Sequence, residues 1–518
     1  MSPDRERTGC MKNMTLRAIA EACGGTLHYD DKNIAGRDEA ECVVIDSRKI
    51  VPGGVFIATK GERVDGHSFI SSVFEKGALG VVCEKLPDTE CGPCILVEDS
   101  FRALSMIAAY YRTQLDCKVI GITGSVGKTS TKEFVATVLA QKYKVCKTQG
   151  NFNNEVGMPL TILSAREDDE VLVLEMGINH FGEMERMAAI ARPDMAVITN
   201  IANCHIEFLG DRDGVLKAKT AIFTGMKEGS PVFLNRDDDK LSTVTAASGM
   251  KPVFYGIESR QTDYNKHNAG TASVAKYYEY KPGAGSKAAP EYYVSEYMTK
   301  GLMGTDAVLV SRVSGETIPV SIRLPGEHML YNALAATAVA ESLDMTPEGI
   351  AEGIAAVEAT AGRGHIVKSR RYTLIDDCYN ANPSAMKSAI KLLSLADTRK
   401  VAILGDMFEL GENAAALHRE VGEYAGRSSI DMLLCVGELS MNMYEGALTG
   451  LKDSSLALEP GDEERDDVSF ESVRLVHFKD KESLKDKLPA ILHIGDSILI
   501  KASHGMGFTE IVDILREE

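Results

Sequence analysis

The chain has 518 residues, of which 44% are hydrophobic and 25% charged, and its formal net charge is -18. That length allows about three domains, each with its own core. The acidic balance argues against nucleic acid or an anionic membrane as partner, since both need a positive footprint, but it leaves room for an anionic small molecule held by a local positive site. No apolar run is long enough to span a bilayer, and the opening MSPDRERTGC leads into no apolar segment of a signal peptide. A cytoplasmic protein with its eleven cysteines reduced is therefore expected.

Residues 13–113 read as a small α/β domain. TLRAIAEACGG is a short amphipathic helix closed by glycines, and VVIDSRKIVPGGVFIAT gives two strands around a Pro-Gly turn. ECGPCI places Cys91 and Cys94 as C-x-x-C, but the motif runs into the strand-like Ile95, Leu96 and Val97 rather than a helix that would stabilise a thiolate. It also lacks the second pair that a zinc site needs, so two ordinary cysteines in a turn are expected.

Residues 114–325 read as a larger α/β domain. The apolar runs Val119–Ile122, Val171–Leu174 and Ala196–Thr199 alternate with helical patterns, which implies a parallel sheet covered on both faces. From about 258 to 300 the pattern breaks, and TASVAKYYEYKPGAGSKAAPEYYV reads as an inserted loop or extra strands. Residues 326–518 repeat the α/β logic, with strands at Thr373–Ile375, Val401–Leu404, Met432–Val436 and Ile498–Ile500. The acidic LEPGDEERDDVSF reads as a solvated loop. The fold class is thus α/β in three parts: a small N-terminal domain, a central domain with a parallel sheet, and a Rossmann-like C-terminal domain.

The chemistry concentrates in GITGSVGKTSTKEFVATVLAQ, where a buried strand enters a glycine-rich turn and then a helix. Glycines let backbone N–H groups crowd round phosphate oxygens, and the helix adds its positive end. Gly124, Ser125 and Gly127 form the turn; Lys128 would reach the terminal phosphates, and Thr129 or Ser130 would ligate Mg²⁺. The strict G-x-x-x-x-G-K-[ST] spacing wants glycine at Ile122. VLVLEMG ends a buried strand in Glu175, where sheet ligands bind. His205 in NCHIEFLG also follows a strand.

With these motifs on the page, the chain resembles the Mur ligases over nearly its whole length. The likeness runs through DSRKIVPGGVFIATKGERVDGHSFI, TGSVGKTSTKE, GNFNNEVGMPLTIL, LEMGINHFGEM, RPDMAVITNI, HIEFLG, KAKTAIF, NALAATAVA, GR at 362–363, DDCYNANPSAMKSAI and ILGDMFELGE. DDCYNANPSAMKSA and GDMFELG point to the branch that adds D-alanyl-D-alanine to UDP-N-acetylmuramoyl-tripeptide, with ATP consumed through an acyl phosphate. The amino-acid-selecting D-N-P-R type motif of the ligase that adds the third residue is missing. Alternatives are another Mur or folylpolyglutamate-type ligase, or a nucleotide-binding regulatory module without ligation.

The resemblance implies that Gly124, Gly127, Lys128 and Thr129 hold ATP phosphates, with Mg²⁺, two ions in all, on Thr129, Glu175 and His205. It implies a carbamylated lysine at Lys219, chosen over Lys217 by motif spacing. Asn332, Asp377, Tyr379 and Asn380 would meet adenosine, with Arg363 near the phosphates. Asp46, Ser47 and Arg48, with Asn151, Asn153 and Asn154 of the loop 151–157, would contact the UDP-sugar. Two departures stand out: Lys501, Ala502, Ser503, His504 where relatives read K-G-S-R, and Cys378 where serine is usual. Asp406 and His418 are candidates for binding the dipeptide, or else a strand-end acid and a helix-surface histidine. A monomer hinged near RLPGEHM, 323–329, completes the expectation.

Overall fold

The computed structural model describes residues 10–28, 39–61, 64–88, 91–244, 249–263, 289–455 and 474–517. Three sheets organise them. The first contains β1 (Thr26–His28), β2 (Val43–Val44), β3 (Val55–Ile57), β4 (Gly80–Cys83) and β5 (Cys94–Leu96), in the order β1-β5-β4-β3-β2. The helix Leu16–Cys23 starts as its sequence suggests: the Thr15 hydroxyl accepts from the Ala18 N–H at 3.2 Å, and Gly24 ends it at φ 65°. β2 and β3 pair in parallel, so the Pro52-Gly53 turn belongs to a crossover and not to a hairpin. Cys94 opens β5 with a buried side chain, while Cys91 is half-buried in the segment before it; both are free thiols.

The second sheet has nine strands: β6 (Lys118–Thr123), β7 (Val145–Lys147), β8 (Val171–Glu175), β9 (Met195–Ile198), β10 (Pro231–Asn235), β11 (Lys251–Asp263), β12 (Tyr292–Thr299), β13 (Thr305–Ser311) and β14 (Thr317–Ile322). Their order is β14-β13-β12-β11-β10-β9-β6-β8-β7. From β7 to β12 neighbours run parallel, and β13 and β14 close the edge as an antiparallel meander. β6 sits between β8 and β9, so the chain leaves its carboxyl end at the point where strand order reverses, where open α/β sheets bind ligands. The break expected at 258–300 is occupied at its ends by β11 and β12; the rest of TASVAKYYEYKPGAGSKAAPEYYV up to residue 288 lies outside the described residues, as does the acidic stretch 458–470.

The third sheet comprises β15 (His365–Lys368), β16 (Thr373–Asp376), β17 (Lys400–Gly405), β18 (Met432–Val436), β19 (Arg474–Phe478) and β20 (Ser497–Lys501), ordered β15-β16-β20-β17-β18-β19. All pairs are parallel except β15 with β16.

The division expected at 325/326 falls inside a packed unit. The helices His328–Glu341 and Pro347–Ala355 lie on the helix Lys128–Leu139 and share one core with β6, β9 and β13. Their apolar residues explain this: Leu330, Ala333, Leu334, Val339, Ile350 and Ile354 are buried against Phe134, Val135 and Val138. We therefore propose the division between the second and third units in the segment 357–364, between that core and β15, and with it the hinge expected at 323–329. The helices approach closely at Gly353, where a Cβ would stand 2.5 Å from Val138 Cα. Gly353→Ala, which in an exposed helix would stabilise by about 1 kcal/mol, should here destabilise by about 1–3 kcal/mol through overpacking; thermal unfolding of the full chain measures it.

Candidate active site at the carboxyl end of β6

Thr123 ends β6, and four residues turn the chain into the helix Lys128–Leu139. Gly124 has φ 146°, and a Cβ there would lie 1.9 Å from Thr199 Oγ1. Only glycine permits this approach. The segment after β9 then clamps the turn. The Ser125 N–H donates to the Asn200 carbonyl at 3.0 Å and the Val126 N–H to Asn200 Oδ1 at 2.9 Å. In return Thr199 Oγ1 and Asn200 Nδ2 donate to the Val126 carbonyl at 2.6 and 2.9 Å. Gly127, at φ 84°, caps the helix with no side-chain partner, so the positive helix end is left facing the cavity. Ile122, where the strict motif wants glycine, is buried in β6 opposite Glu175 and Val197; it packs, and the phosphate-loop geometry begins at Gly124.

Lys128 Nζ donates to the Gly124 carbonyl at 2.8 Å, folding the ammonium back over the loop. Desolvation pushes its pKa down, opposed by Glu175. Glu175 is 1% exposed. Its Oε1 accepts from Thr129 Oγ1 at 3.1 Å and Asn153 Nδ2 at 2.8 Å, whereas buried Oε2 has no hydrogen bond and lies 4.0 Å from Lys132 Nζ. A buried carboxylate oxygen with no donor is costly unless something else meets it.

His205 takes a left-handed backbone, φ 50°, as the cap of the helix Ile206–Leu209. Burial pushes its pKa down, and Lys128 and Lys219 push the same way. Its Nδ1 is buried without a well-directed hydrogen bond, although Glu409 Oε2 is 3.0 Å away. Lys219 is 1% exposed on the helix Arg212–Thr220, its pKa pushed down to about 8 by burial first, with Lys128 adding to the effect and Cys204 opposing it. Lys217 instead lies 5.8 Å from the Phe181 ring centre.

These groups face a cavity of about 880 Å³ shared by the second and third units. Ser125, Gly127, Lys128, Thr129, Ser130, Glu175 and His205 line one side, with Asn151, Asn153, Asn154 and Asn332; Arg363, Asp377, Tyr379 and Asn380 line the other. Gly124 and Lys219 are not among the lining residues. Asn332 Oδ1 accepts from Thr131 Oγ1 at 2.9 Å, joining the helix His328–Glu341 to the loop helix. Arg363 stacks 3.6 Å over the Tyr379 ring, and His504 lies on Tyr379 at 5.8 Å between ring centres. Lys501 donates to Asp377 Oδ2 at 2.7 Å and to the Asn380 carbonyl at 2.8 Å. Asp46, Ser47 and Arg48 are not among the lining residues: Asp46 and Arg48 pair with each other at 2.8 Å, and neighbouring Lys49 lies 5.8 Å from the ring centre of Phe152 in the segment 151–157.

Of the two dipeptide candidates, Asp406 is the strand-end acid directly after β17, whereas His418 changes character. His418 is fully buried, not a helix-surface residue: Nδ1 donates to the Ala414 carbonyl at 2.7 Å and Nε2 accepts the Met407 N–H at 2.9 Å. Asp406 Oδ1 accepts the Ser440 N–H at 2.7 Å. Both ring nitrogens of His418 are committed to backbone and one Asp406 oxygen to Ser440, and neither residue lines the cavity; they brace the loop after β17. What that loop presents to the cavity is Phe408, Glu409 and Leu410. Sequence reasoning missed Glu409, because nothing in GDMFELG marks one acid as braced and the other as presented.

The donor set suits magnesium. Among the described residues no three His, Cys, Asp or Glu side chains form a metal cage. Mg²⁺ keeps several waters and needs only one or two carboxylates beside phosphate oxygens, and orphaned Glu175 Oε2, with Thr129 beside it, offers that.

Family models match this chain in three consecutive blocks: the Mur ligase family catalytic domain at residues 39–112, the Mur ligase middle domain at 122–340, and the Mur ligase glutamate ligase domain at 362–504. The UDP-N-acetylmuramoyl-tripeptide--D-alanyl-D-alanine ligase of Bacillus subtilis is 33% identical over 515 residues, which cover 98% of this chain and 99% of that protein. The chain belongs to the Mur ligase family. The Escherichia coli ligase of the same name is 30% identical, again over 98% of this chain and 99% of that protein. Among solved structures, a crystal structure of MurF from Acinetobacter baumannii matches with a TM-score of 0.79 at 26% identity, over 98% of this chain and 99% of that one. MurF from Thermotoga maritima in complex with ADP matches with a TM-score of 0.72 at 26% identity, over 92% of this chain and 97% of that one. The middle-domain match runs past residue 325 to 340, as the packing of the helix His328–Glu341 on the central sheet requires.

In this Mur ligase, Gly124→Ala should displace the loop from Thr199 and lower nucleotide affinity at least about 10-fold, an affinity loss of about 1.4 kcal/mol, measured by ADP titration calorimetry. Lys128→Ala should lower turnover by about 10²–10³, the scale of removing one preorganised charge-stabilising donor, while the circular-dichroism melt keeps its shape.

Proposed function

We infer that this chain is an ATP-dependent, amide-forming ligase that joins D-alanyl-D-alanine to UDP-N-acetylmuramoyl-tripeptide in peptidoglycan synthesis, releasing ADP and phosphate. Its full-length likeness to ligases of that name supports the substrates. The observation that carries the chemistry is the meeting, on one cavity, of a glycine-built phosphate loop, an orphaned buried carboxylate and groups from the third unit.

A carboxylate is a poor electrophile, because its leaving group would be oxide. Phosphorylation by ATP converts it into an acyl phosphate, and the dipeptide amine then attacks the carbonyl and expels phosphate. Carboxylate and γ-phosphate must first approach: at about 4 Å their repulsion is roughly 1 kcal/mol in water and about 4 kcal/mol at an effective dielectric near 20. Lys128 and the backbone N–H groups at the uncapped helix end offset that repulsion and hold the charge that moves to the leaving oxygen. Magnesium, when bound beside Thr129 and Glu175, adds Lewis-acid neutralisation of the phosphate oxygens; His205 would hold a second ion. Arg363, stacked on Tyr379, supports placing a guanidinium near the phosphates, and the Tyr379 ring with Asn332, Asp377 and Asn380 offers a face and polar edges for adenosine. The third unit supplies this second wall, so docking it on the central unit excludes water from a hydrolysable intermediate. Asn151, Asn153 and Asn154 face the sugar-peptide substrate, and the Asp46–Arg48 loop meets its uridine end outside the cavity. The attacking amine, with a reference pKa of about 7.7–8.0, needs only a modest shift to be neutral, so no strong base is assigned.

Lys219 fits carbamylation. A neutral lysine amine attacks CO₂, forms an N–C bond and loses a proton to solvent, leaving an anion in place of an ammonium. With its pKa down to about 8, about a tenth of Lys219 is neutral at pH 7, against well under a thousandth for an exposed lysine. Because the folded pKa is lowered, the neutral fraction rises as pH passes through about 8. A ¹³C carbamate signal from labelled bicarbonate should therefore grow between pH 7 and 9 and vanish in Lys219→Ala. Phosphate release should require the muramoyl tripeptide nucleotide and D-alanyl-D-alanine together; release with another amino acid in place of the dipeptide would point to a different ligase, and ATP binding without any amide product would overturn the assignment.

A further inference from the structure

The loop after β17 reaches across to the central unit. Gly411, at φ 58°, is packed 3.6 Å (from its Cβ position) against Glu207, on the helix that His205 caps. Glu409, at φ 60°, brings Oε2 to 3.0 Å from His205 Nδ1. That nitrogen is buried and makes no well-directed hydrogen bond. Neither residue reaches this contact by accident of a flexible chain. His205 is fixed as the cap of its helix, and the Glu409 loop is braced by the Met407 N–H on His418, the Phe408 N–H on Ser503 Oγ at 2.9 Å and the Ser503 N–H on the Asp406 carbonyl at 3.1 Å. Glu409 itself remains half-exposed, so it forms no part of a core.

We propose that Glu409 is a positioning residue whose carboxylate, delivered by the third unit, orients the His205 imidazole of the central unit, so that this ligand is aligned only when the two units are docked. A histidine that binds a metal through one ring nitrogen needs the other held by an acceptor, which fixes both tautomer and ring angle; losing such an acceptor typically costs 10–100-fold in metal affinity or activity. Here a small ring rotation completes an Nδ1–H to Oε2 bond and leaves Nε2 free for the cavity. The ordering of the site and the docking of the third unit thereby become one event. This inference rests on the placement of His205 in the site argued above.

The test uses full-length protein with ADP bound and Mn²⁺ as the probe, its affinity read by electron paramagnetic resonance. Glu409→Ala should weaken Mn²⁺ binding about 10-fold and lower kcat about 10–100-fold while the KM for ATP stays within about 2-fold. Glu409→Gln keeps an acceptor without the charge and should stay within about 3-fold of wild type in Mn²⁺ affinity. Unchanged binding in Glu409→Ala overturns the proposal, and so does an equal loss in both variants, which would show a field effect and not orientation. His205→Ala separates the two layers: if it weakens Mn²⁺ binding while Glu409→Ala does not, the positioning role fails and the site stands; if neither does, the placement of His205 fails as well.

Discussion

The site depends on how closely two strand ends approach. Gly124 leaves β6 so near to Thr199, beyond β9, that no side chain fits between them. That contact lets Thr199 and Asn200 bond the loop from below, and the loop in turn sets the end of the helix Lys128–Leu139 and the bend of Lys128. Strand order does the rest. With β6 between β8 and β9, Glu175 and the segment leading to His205 arrive on either side of the same turn. A carboxylate, an imidazole and an ammonium are brought to one place by sheet topology, although 46 residues separate Thr129 from Glu175.

Burial then gives these groups their chemistry. Glu175 keeps one oxygen without a hydrogen bond, Lys128 and Lys219 are both depressed by desolvation, and His205 is pushed the same way. A site left with this much unbalanced polarity is costly in isolation, and its partners are anions and cations that arrive with substrate. The buried Lys132, on the Thr148 carbonyl at 2.7 Å and beside Glu133 at 3.0 Å, supplies part of the compensating charge behind Glu175.

Much of this was legible in the chain. The apolar runs at 119, 171, 196, 401, 432 and 498 each became a buried parallel strand, because a strand covered on both faces must be apolar throughout. The phosphate loop declared itself through glycines whose positive φ angles only they adopt easily. Less legible was what depends on tertiary pairing. The crossover at Pro52-Gly53 looks like a hairpin turn locally, and only the parallel pairing of β2 with β3 says otherwise. The helices His328–Glu341 and Pro347–Ala355 carry no mark of which sheet they cover. His418 reads as a dipeptide ligand or a helix-surface residue, yet its Nε2 serves the backbone of the loop after β17 and its Nδ1 the first turn of its own helix. Glu409 was invisible for the complementary reason, since its meaning lies in a residue about two hundred positions away in another unit.

The central claim is that the loop around Lys128 grips a triphosphate so that a carboxyl group is phosphorylated before an amine displaces the phosphate. The most direct measurement follows oxygen. With the terminal carboxylate of the tripeptide nucleotide labelled with ¹⁸O, and ATP, magnesium and D-alanyl-D-alanine supplied, mass spectrometry of the released phosphate should find one labelled oxygen per phosphate. Amide product accompanied by unlabelled phosphate would contradict the account.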